Sequence, residues 1–182
     1  MTRRDLLGPI PSEHDPRYRR YTLVLDLDET LVHFEHRRMV YKVRPLCIRF
    51  LTEMAKLYEI VIFTAAHQTY ANFILDKLDK DGTLIQHRLY RQHTTQIKGA
   101  FIKDLKRLGR PLERTLIIDN LKENFSRQRE NGIECGTWKG SVHDRQLHTL
   151  SVFLTKMARD APSDIRPHIA EFKRRFNPNN FE

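Results

Sequence analysis

The chain has 182 residues, 40% of them hydrophobic, and its 32 Lys and Arg outnumber 23 Asp and Glu for a formal net charge of +9. Such a length suits one α/β domain with an ample core, and the charge favours anionic partners such as phosphorylated peptides, nucleic acid or acidic membrane surfaces. Cys47 and Cys135 form no C-x-x-C pair, and no apolar run approaches a membrane span, which argues against a disulfide framework, a zinc site or an anchor. No secretory signal opens the chain, so the expected setting is a reducing one, the nucleus or cytoplasm.

Residues 1–17 are polar and carry Pro9, Pro11 and Pro16, as expected of an extended lead-in that hugs the domain or stays mobile. The main domain would span 18–160, with a basic helix and tail over 161–182. Leu23–Leu25, behind Tyr21 and Thr22, form a buried strand that ends abruptly in Asp26, Leu27, Asp28, Glu29 and Thr30. Val32–Phe34 and Met39–Val43 suggest a short hairpin flap around His36-Arg-Arg. Pro45 opens a helix with Ile48, Leu51, Met54, Ala55 and Tyr58 at helical spacing. Glu59–Phe63 is a second buried strand, running into Thr64.

His67–Lys80 predicts an amphipathic helix with Tyr70, Phe73, Ile74 and Leu78 inward, closed by Asp81-Gly82. Arg88–Arg91 is the next strand, followed by a polar loop through Gly99. Phe101–Leu108 reads as a short helical turn closed by Gly109, and Thr115–Ile118 as a strand ending in Asp119-Asn120. Lys122–Asn131 is polar and loosely helical, and Ile133–Cys135 is a last short strand. Val142–Asp160 is a long helix with Leu147, Leu150, Phe153, Leu154 and Met157 on one face, broken by Pro162. Asp164–Phe176 would form a basic helix before an Asn/Pro tail. Strands alternate with helices, which predicts a Rossmann-like, mainly parallel sheet with helices on both faces.

Acids at the end of a buried strand need a metal or a donor network, because a bare buried carboxylate is costly. Asp26 and Asp28, two apart in extended chain, point to the same side about 6 to 7 Å apart at Cα. That spacing leaves room for a phosphorus atom between a nucleophile and a proton donor. A calcium loop does not fit: counting from Asp26, Leu31 stands where Gly is required and Arg37 where Glu is required. In a parallel sheet the ends of neighbouring strands meet at one edge, which would gather Asp26, Asp28, Thr64, Asp119 and Asn120. Lys103 would add a positive charge from a loop or helix start.

Asp26-Leu-Asp-Glu-Thr-Leu-Val-His resembles motif I of the haloacid-dehalogenase superfamily, in particular its small C-terminal-domain phosphatases, the NLI-interacting-factor-like family. The likeness continues through Val43-Arg-Pro, Phe63-Thr-Ala-Ala, Phe101-Ile-Lys-Asp-Leu-Lys-Arg-Leu-Gly-Arg, Leu116-Ile-Ile-Asp-Asn and Glu130-Asn-Gly-Ile to the region of Trp138. The resemblance implies the haloacid-dehalogenase fold and a Mg²⁺-dependent protein serine/threonine phosphatase. In that scheme Asp26 attacks phosphorus to form an aspartyl-phosphate, and Asp28 protonates the leaving oxygen and then activates water. Thr30, Thr64 and Lys103 would meet the phosphoryl group, and Arg44 would help at the mouth with Arg37, Arg38, Arg91 and Lys98. Mg²⁺ would be held by the Asp26 carboxylate, the Asp28 carbonyl and Asn120. Asp119 would be a water-mediated ligand or the group that positions Lys103.

The partner the resemblance implies is a phosphorylated protein such as the C-terminal repeats of RNA polymerase II, met by a monomer. Other members of the fold set alternatives: a nuclear-envelope phosphatase with a membrane anchor, and a non-catalytic translocase receptor that need not keep both motif I aspartates. A nucleic-acid-binding domain would rest on charge alone, and no aromatic-basic pattern accompanies it. Human-type members carry a longer insertion between motif I and the Val-Arg-Pro segment, a small sheet that helps grip a proline-containing phosphopeptide. Only His33–Lys42 occupies that space here, so the flap is expected to offer charge and one aromatic, Phe34 or Tyr41, but little enclosed surface.

Overall fold

A computed structural model of the protein describes residues 5–35 and 37–176. His36 at the expected hairpin tip, residues 1–4 of the lead-in and the Asn/Pro tail at 177–182 lie outside the described residues.

A five-stranded, wholly parallel sheet organises the molecule, built from β1 (Tyr21–Leu25), β4 (Tyr58–Phe63), β5 (His87–Leu89), β8 (Thr115–Asp119) and β9 (Gly132–Glu134) in the order β5-β4-β1-β8-β9. β1 lies at the centre, with Leu25 level with Ile62 of β4 and with Ile118 of β8. Because β1, β4 and β8 are buried on both faces, they read as continuous apolar runs rather than alternating ones. Leu23 and Leu25 face one core and Val24 the other, as the two-residue period of a strand requires.

The two faces are covered unequally. Helices α1 (Cys47–Met54), α2 (Gln68–Leu78), α3 (Gln146–Asp160) and α4 (Arg166–Arg175) all bury residues in the core of Leu23 and Leu25. The opposite core, around Val24, Val61, Phe63 and Ile117, is closed by Leu105 and Leu108 of a 3₁₀ turn, by Phe125, and by Leu7 of the lead-in. The lead-in therefore hugs the domain: the Leu6 N–H bonds the Arg107 carbonyl at 2.7 Å and Arg110 holds the Gly8 carbonyl at 2.9 Å. At the other end, Ile165 and Ile169 enter the main core, and Phe172 stacks on Phe153 with ring centroids 4.2 Å apart.

Two hairpins flank the carboxyl edge of the sheet. β2 (Val32–Glu35) pairs with β3 (Val40–Val43) as the expected flap. The second is a correction: β6 (Thr95–Ile97) and β7 (Ala100–Ile102) pair antiparallel where a polar loop and the start of a helical turn were expected. The left-handed Lys98 and Gly99 make that tight turn, so backbone pairing wins over weak strand composition. The 3₁₀ turn is confined to Leu105–Leu108, started by Asp104, whose carboxylate accepts the Lys106 N–H.

Smaller differences share one cause, packing overriding pattern. Helix α1 starts at Cys47, after Leu46 in a left-handed conformation, and Tyr58 belongs to β4 rather than to that helix. Strand β5 spans His87–Leu89 instead of Arg88–Arg91, and α3 begins at Gln146 rather than Val142. Phe73, expected inward, is 57% exposed and lies edge-on to Tyr41 of the flap at 6.2 Å.

Candidate active site

Asp26, Asp28, Thr64, Asp119 and Asn120 lie at the carboxyl ends of the neighbouring strands β1, β4 and β8, and Lys103 reaches them from the exit of the β6–β7 hairpin. Past β1 the Asp26 N–H still bonds the Ile118 carbonyl at 3.0 Å, so Asp26 is fixed by the sheet itself. Leu27 is buried, and its carbonyl accepts the N–H groups of Thr30, Leu31 and Val32, which folds the chain into a tight loop. Asp26 and Asp28 thereby stand on the side opposite Leu27. Glu29, a non-glycine residue at φ 60°, completes the turn, and its carbonyl receives the Trp138 N–H at 2.8 Å.

Asp26 is held at both oxygens. The Lys103 ammonium lies 2.5 Å from Oδ1 and also 2.6 Å from Asp119 Oδ2, while the Thr30 hydroxyl donates to Asp26 Oδ2 at 3.0 Å. Lys103, at the exit of β7, is fully buried, where sequence alone would suggest a solvated surface lysine. Burial pushes the Asp26 carboxyl up to about 7, with Asp119 adding to the rise and Lys103 opposing it. Burial alone would lower Lys103, but Asp119 and Asp26 outweigh it and keep its ammonium above the usual range.

Asp28 has a different setting. Burial raises its carboxyl, partly offset by the Tyr70 hydroxyl, which donates to Oδ1 at 2.7 Å, by Lys103 and by Thr64. Two neighbouring carboxylates in unlike environments are a basis for splitting the nucleophile and acid roles. Thr64 is buried after β4, and its hydroxyl accepts the Ala66 N–H at 3.0 Å.

The Asp119 carboxylate is saturated by Lys103, by the Leu121 N–H at 2.9 Å and by the Asn124 amide at 3.0 and 3.2 Å. Of the two roles expected for it, the contact made is the one that positions Lys103. Asn120 donates from its amide nitrogen to Thr137 at 3.1 Å, and its Oδ1 lies 3.5 Å from the Thr30 hydroxyl. Asp26 Oδ2 and Asn120 Oδ1 thus border one point. The donors there are hard oxygens, a carboxylate and an amide, of the kind that suits Mg²⁺. Among the described residues no three His, Cys, Asp or Glu side chains converge as a metal cage.

Two residues expected at the phosphate make internal contacts. Thr30 is fully buried and its hydroxyl donates to Asp26 Oδ2. Arg44 is also buried: it forks onto Asp144 with two 2.8 Å bonds and holds the Thr30 carbonyl at 2.9 Å and the Gly136 carbonyl at 3.4 Å. It braces the loop after Asp26 from behind. Of the other basic residues, Arg91 bonds the Ala65 carbonyl at 2.6 Å and covers the Phe101 ring at 4.8 Å, while Arg38 and Lys42 pair with Glu35 of the flap.

A family model described as NLI interacting factor-like phosphatase matches residues 21–166. The chain belongs to that family. CTD small phosphatase-like protein 3 of Caenorhabditis elegans is 40% identical over 164 residues, covering 80% of this chain and 56% of the relative. The mitochondrial import inner membrane translocase subunit TIM50 of Candida glabrata is 35% identical over 183 residues, covering 98% of this chain and 37% of the relative. The chain thus spans little more than half the length of the first relative and well under half of the second. Among solved structures, the fission yeast RNA polymerase II CTD phosphatase Fcp1 bound to beryllium fluoride matches with a TM-score of 0.55 at 18% identity, over 84% of this chain and 54% of that one. That likeness shows a shared fold.

Within this NLI interacting factor-like phosphatase domain, sequence reasoning missed Tyr70, Asp144 and Asn124. Tyr70 fits the apolar stripe of α2, which hid the reach of its hydroxyl to Asp28. The flap supplies both Phe34 and Tyr41 where one aromatic was expected, and with Met39, His67, Tyr70 and Phe73 they line an open groove of about 520 Å³. Among the described residues no helix is long and apolar enough to cross a membrane.

Proposed function

We propose that this chain is a Mg²⁺-dependent phosphoprotein phosphatase acting on phosphoserine or phosphothreonine through an aspartyl-phosphate on Asp26. The observation that carries this reading is the grip on Asp26, with Lys103 on one oxygen and Thr30 on the other, beside a second carboxyl, Asp28, that burial raises and the Tyr70 hydroxyl holds. In the first step an Asp26 oxygen attacks phosphorus and the bond from phosphorus to the serine or threonine oxygen breaks. Asp28 gives that oxygen its proton. In the second step Asp28 takes a proton from water, the water oxygen bonds phosphorus, and the carboxylate of Asp26 is released with inorganic phosphate. Lys103 neutralises the phosphoryl oxygens. Asp26, the Asp28 carbonyl and Asn120 would hold Mg²⁺, which supplies further charge neutralisation when bound.

The groove beside Asp28 would take an apolar residue flanking the phosphorylated one, and the net charge of +9 would favour an acidic segment. RNA polymerase II C-terminal repeats, the target named for the fission yeast protein, fit that chemistry, and nucleus or cytosol would keep Cys47 and Cys135 reduced. A translocase subunit that binds without hydrolysing is the second reading, favoured by the likeness to TIM50. The intact Asp26–Lys103–Asp119 arrangement argues for catalysis instead. The test is turnover of p-nitrophenyl phosphate and a phosphoserine repeat peptide, first in EDTA and then with Mg²⁺ restored. Metal-dependent turnover is expected; peptide binding without turnover at any metal concentration would favour the second reading.

A further inference from the structure

The segment Lys122–Asn131 follows Asp119 as short 3₁₀ turns kinked at Phe125 and Gln128, and three of its amides are buried. Gln128 binds the start of the turn after Lys103, accepting the Leu105 N–H at 3.0 Å and donating to Asp104 at 3.0 Å. Asn131 donates to the carbonyls of Leu112 and Thr115 at 2.6 and 2.7 Å, a link between backbone segments only. Asn124 is different because both of its ends meet the catalytic centre. Its amide donates to both oxygens of Asp119, and its carbonyl accepts the Lys103 N–H at 2.6 Å.

We propose that Asn124 is a positioning residue for catalysis, setting the Asp119 carboxylate and the Lys103 backbone together so that the ammonium is aimed at Asp26. The proposal rests on the phosphatase reading of the site and assigns Asn124 no contact with substrate. A buried carboxylate with two oxygens can turn about its own bond, and a turned Asp119 would pull Lys103 away from Asp26. The paired amide bonds and the Leu121 N–H fix that rotation, leaving Oδ2 directed at Lys103. The peptide contact fixes the root of the lysine side chain from the same residue. Nothing in the polar run Lys-Glu-Asn-Phe-Ser marks this residue in the sequence.

The test compares Asn124→Ala and Asn124→Asp with Asn131→Ala, which removes an equally buried pair of amide bonds remote from Asp119. For each protein, kcat and KM for p-nitrophenyl phosphate, the thermal midpoint, and the affinity for beryllium fluoride in Mg²⁺ buffer are measured. Loss of a partner that orients a ligand or charged group typically lowers activity about 10- to 100-fold. Asn124→Ala should lower kcat by that factor with KM within about threefold, and weaken beryllium fluoride to a similar degree. Asn124→Asp, the same shape with a repelling charge, should be at least as impaired. Asn131→Ala should lose thermal stability while keeping kcat and beryllium fluoride affinity. The proposal is overturned if Asn124→Asp retains wild-type kcat, or if Asn131→Ala loses kcat as fully as Asn124→Ala. A wild type that binds beryllium fluoride without turnover would refute the phosphatase reading instead, and Asn124→Ala binding it with undiminished affinity would still overturn this proposal.

Discussion

Lys103→Met removes a buried ammonium while keeping most of the stem that fills its site. In the folded protein Nζ sits between Asp26 Oδ1 at 2.5 Å and Asp119 Oδ2 at 2.6 Å. Without it two buried carboxylates face each other. Asp119 keeps the Leu121 and Asn124 donors, whereas Asp26 keeps only Thr30, so the penalty falls chiefly on Asp26. Breaking a buried ion pair from one side costs about 3–5 kcal/mol. At roughly 2–4 °C per kcal/mol for a domain of this size, the midpoint should fall by about 6–20 °C.

The loss must depend on pH. A carboxyl raised above its unfolded value holds a proton in the folded state that the unfolded chain releases, so the group destabilises the fold as pH climbs from the unfolded value through the folded one. Asp26 already stands at about 7 with Lys103 in place and should stand higher without it. Thermal unfolding in EDTA should therefore show a much larger deficit at about pH 8 than at about pH 5.5. Turnover should drop at least about 10²–10³-fold, as for loss of a preorganised charge donor. An equal deficit at both pH values, or one below about 1 kcal/mol at the higher pH, would refute the reasoning.

Tyr70→Phe deletes the hydroxyl on Asp28 that now lowers the raised acid, so the basic limb of the kcat/KM profile should move to higher pH, with the fold unharmed; an unmoved limb would remove Tyr70 from the site. Arg44→Lys leaves a charge but not the fork onto Asp144, and should lower stability by about 2–4 kcal/mol and slow turnover by loosening the loop after Asp26. Retained stability in that variant would contradict the bracing role. Phe73→Ala in the flap groove should raise KM for a phosphopeptide several-fold and leave p-nitrophenyl phosphate unaffected; equal effects on both would place the groove outside substrate binding.

The sheet and the acids at its edge were legible because both rest on short-range pattern. Leu23–Leu25, Ile60–Phe63 and Leu116–Ile118 are apolar runs, each cut off by polar residues, and burial on both faces of a parallel sheet demands that form. What stayed hidden depends on pairs far apart in the chain. Arg44 looked like a mouth residue because its partner Asp144 lies 100 positions away. Lys103 was expected at the site with Asp119 as a possible partner, but its complete burial between Asp26 and Asp119 rests on pairs 77 and 16 positions apart that no local pattern shows. The β6–β7 hairpin was missed because Thr95–Ile97 is too short and polar to signal a strand. Phe73 sits on the helical stripe of α2 yet faces the flap, since the flap, not the sheet, covers that part of the helix.

The central claim is that the Asp26 side chain itself becomes phosphorylated, and borohydride trapping reads this directly. An acyl phosphate is reduced to the alcohol, so protein quenched during turnover should yield homoserine at position 26 by peptide mass spectrometry, and Asp26→Asn should yield none while losing several orders of magnitude in turnover. Homoserine at position 28 instead, unmodified Asp26 in a turning-over sample, or an Asp26→Asn variant that keeps even about a tenth of wild-type activity would contradict the account.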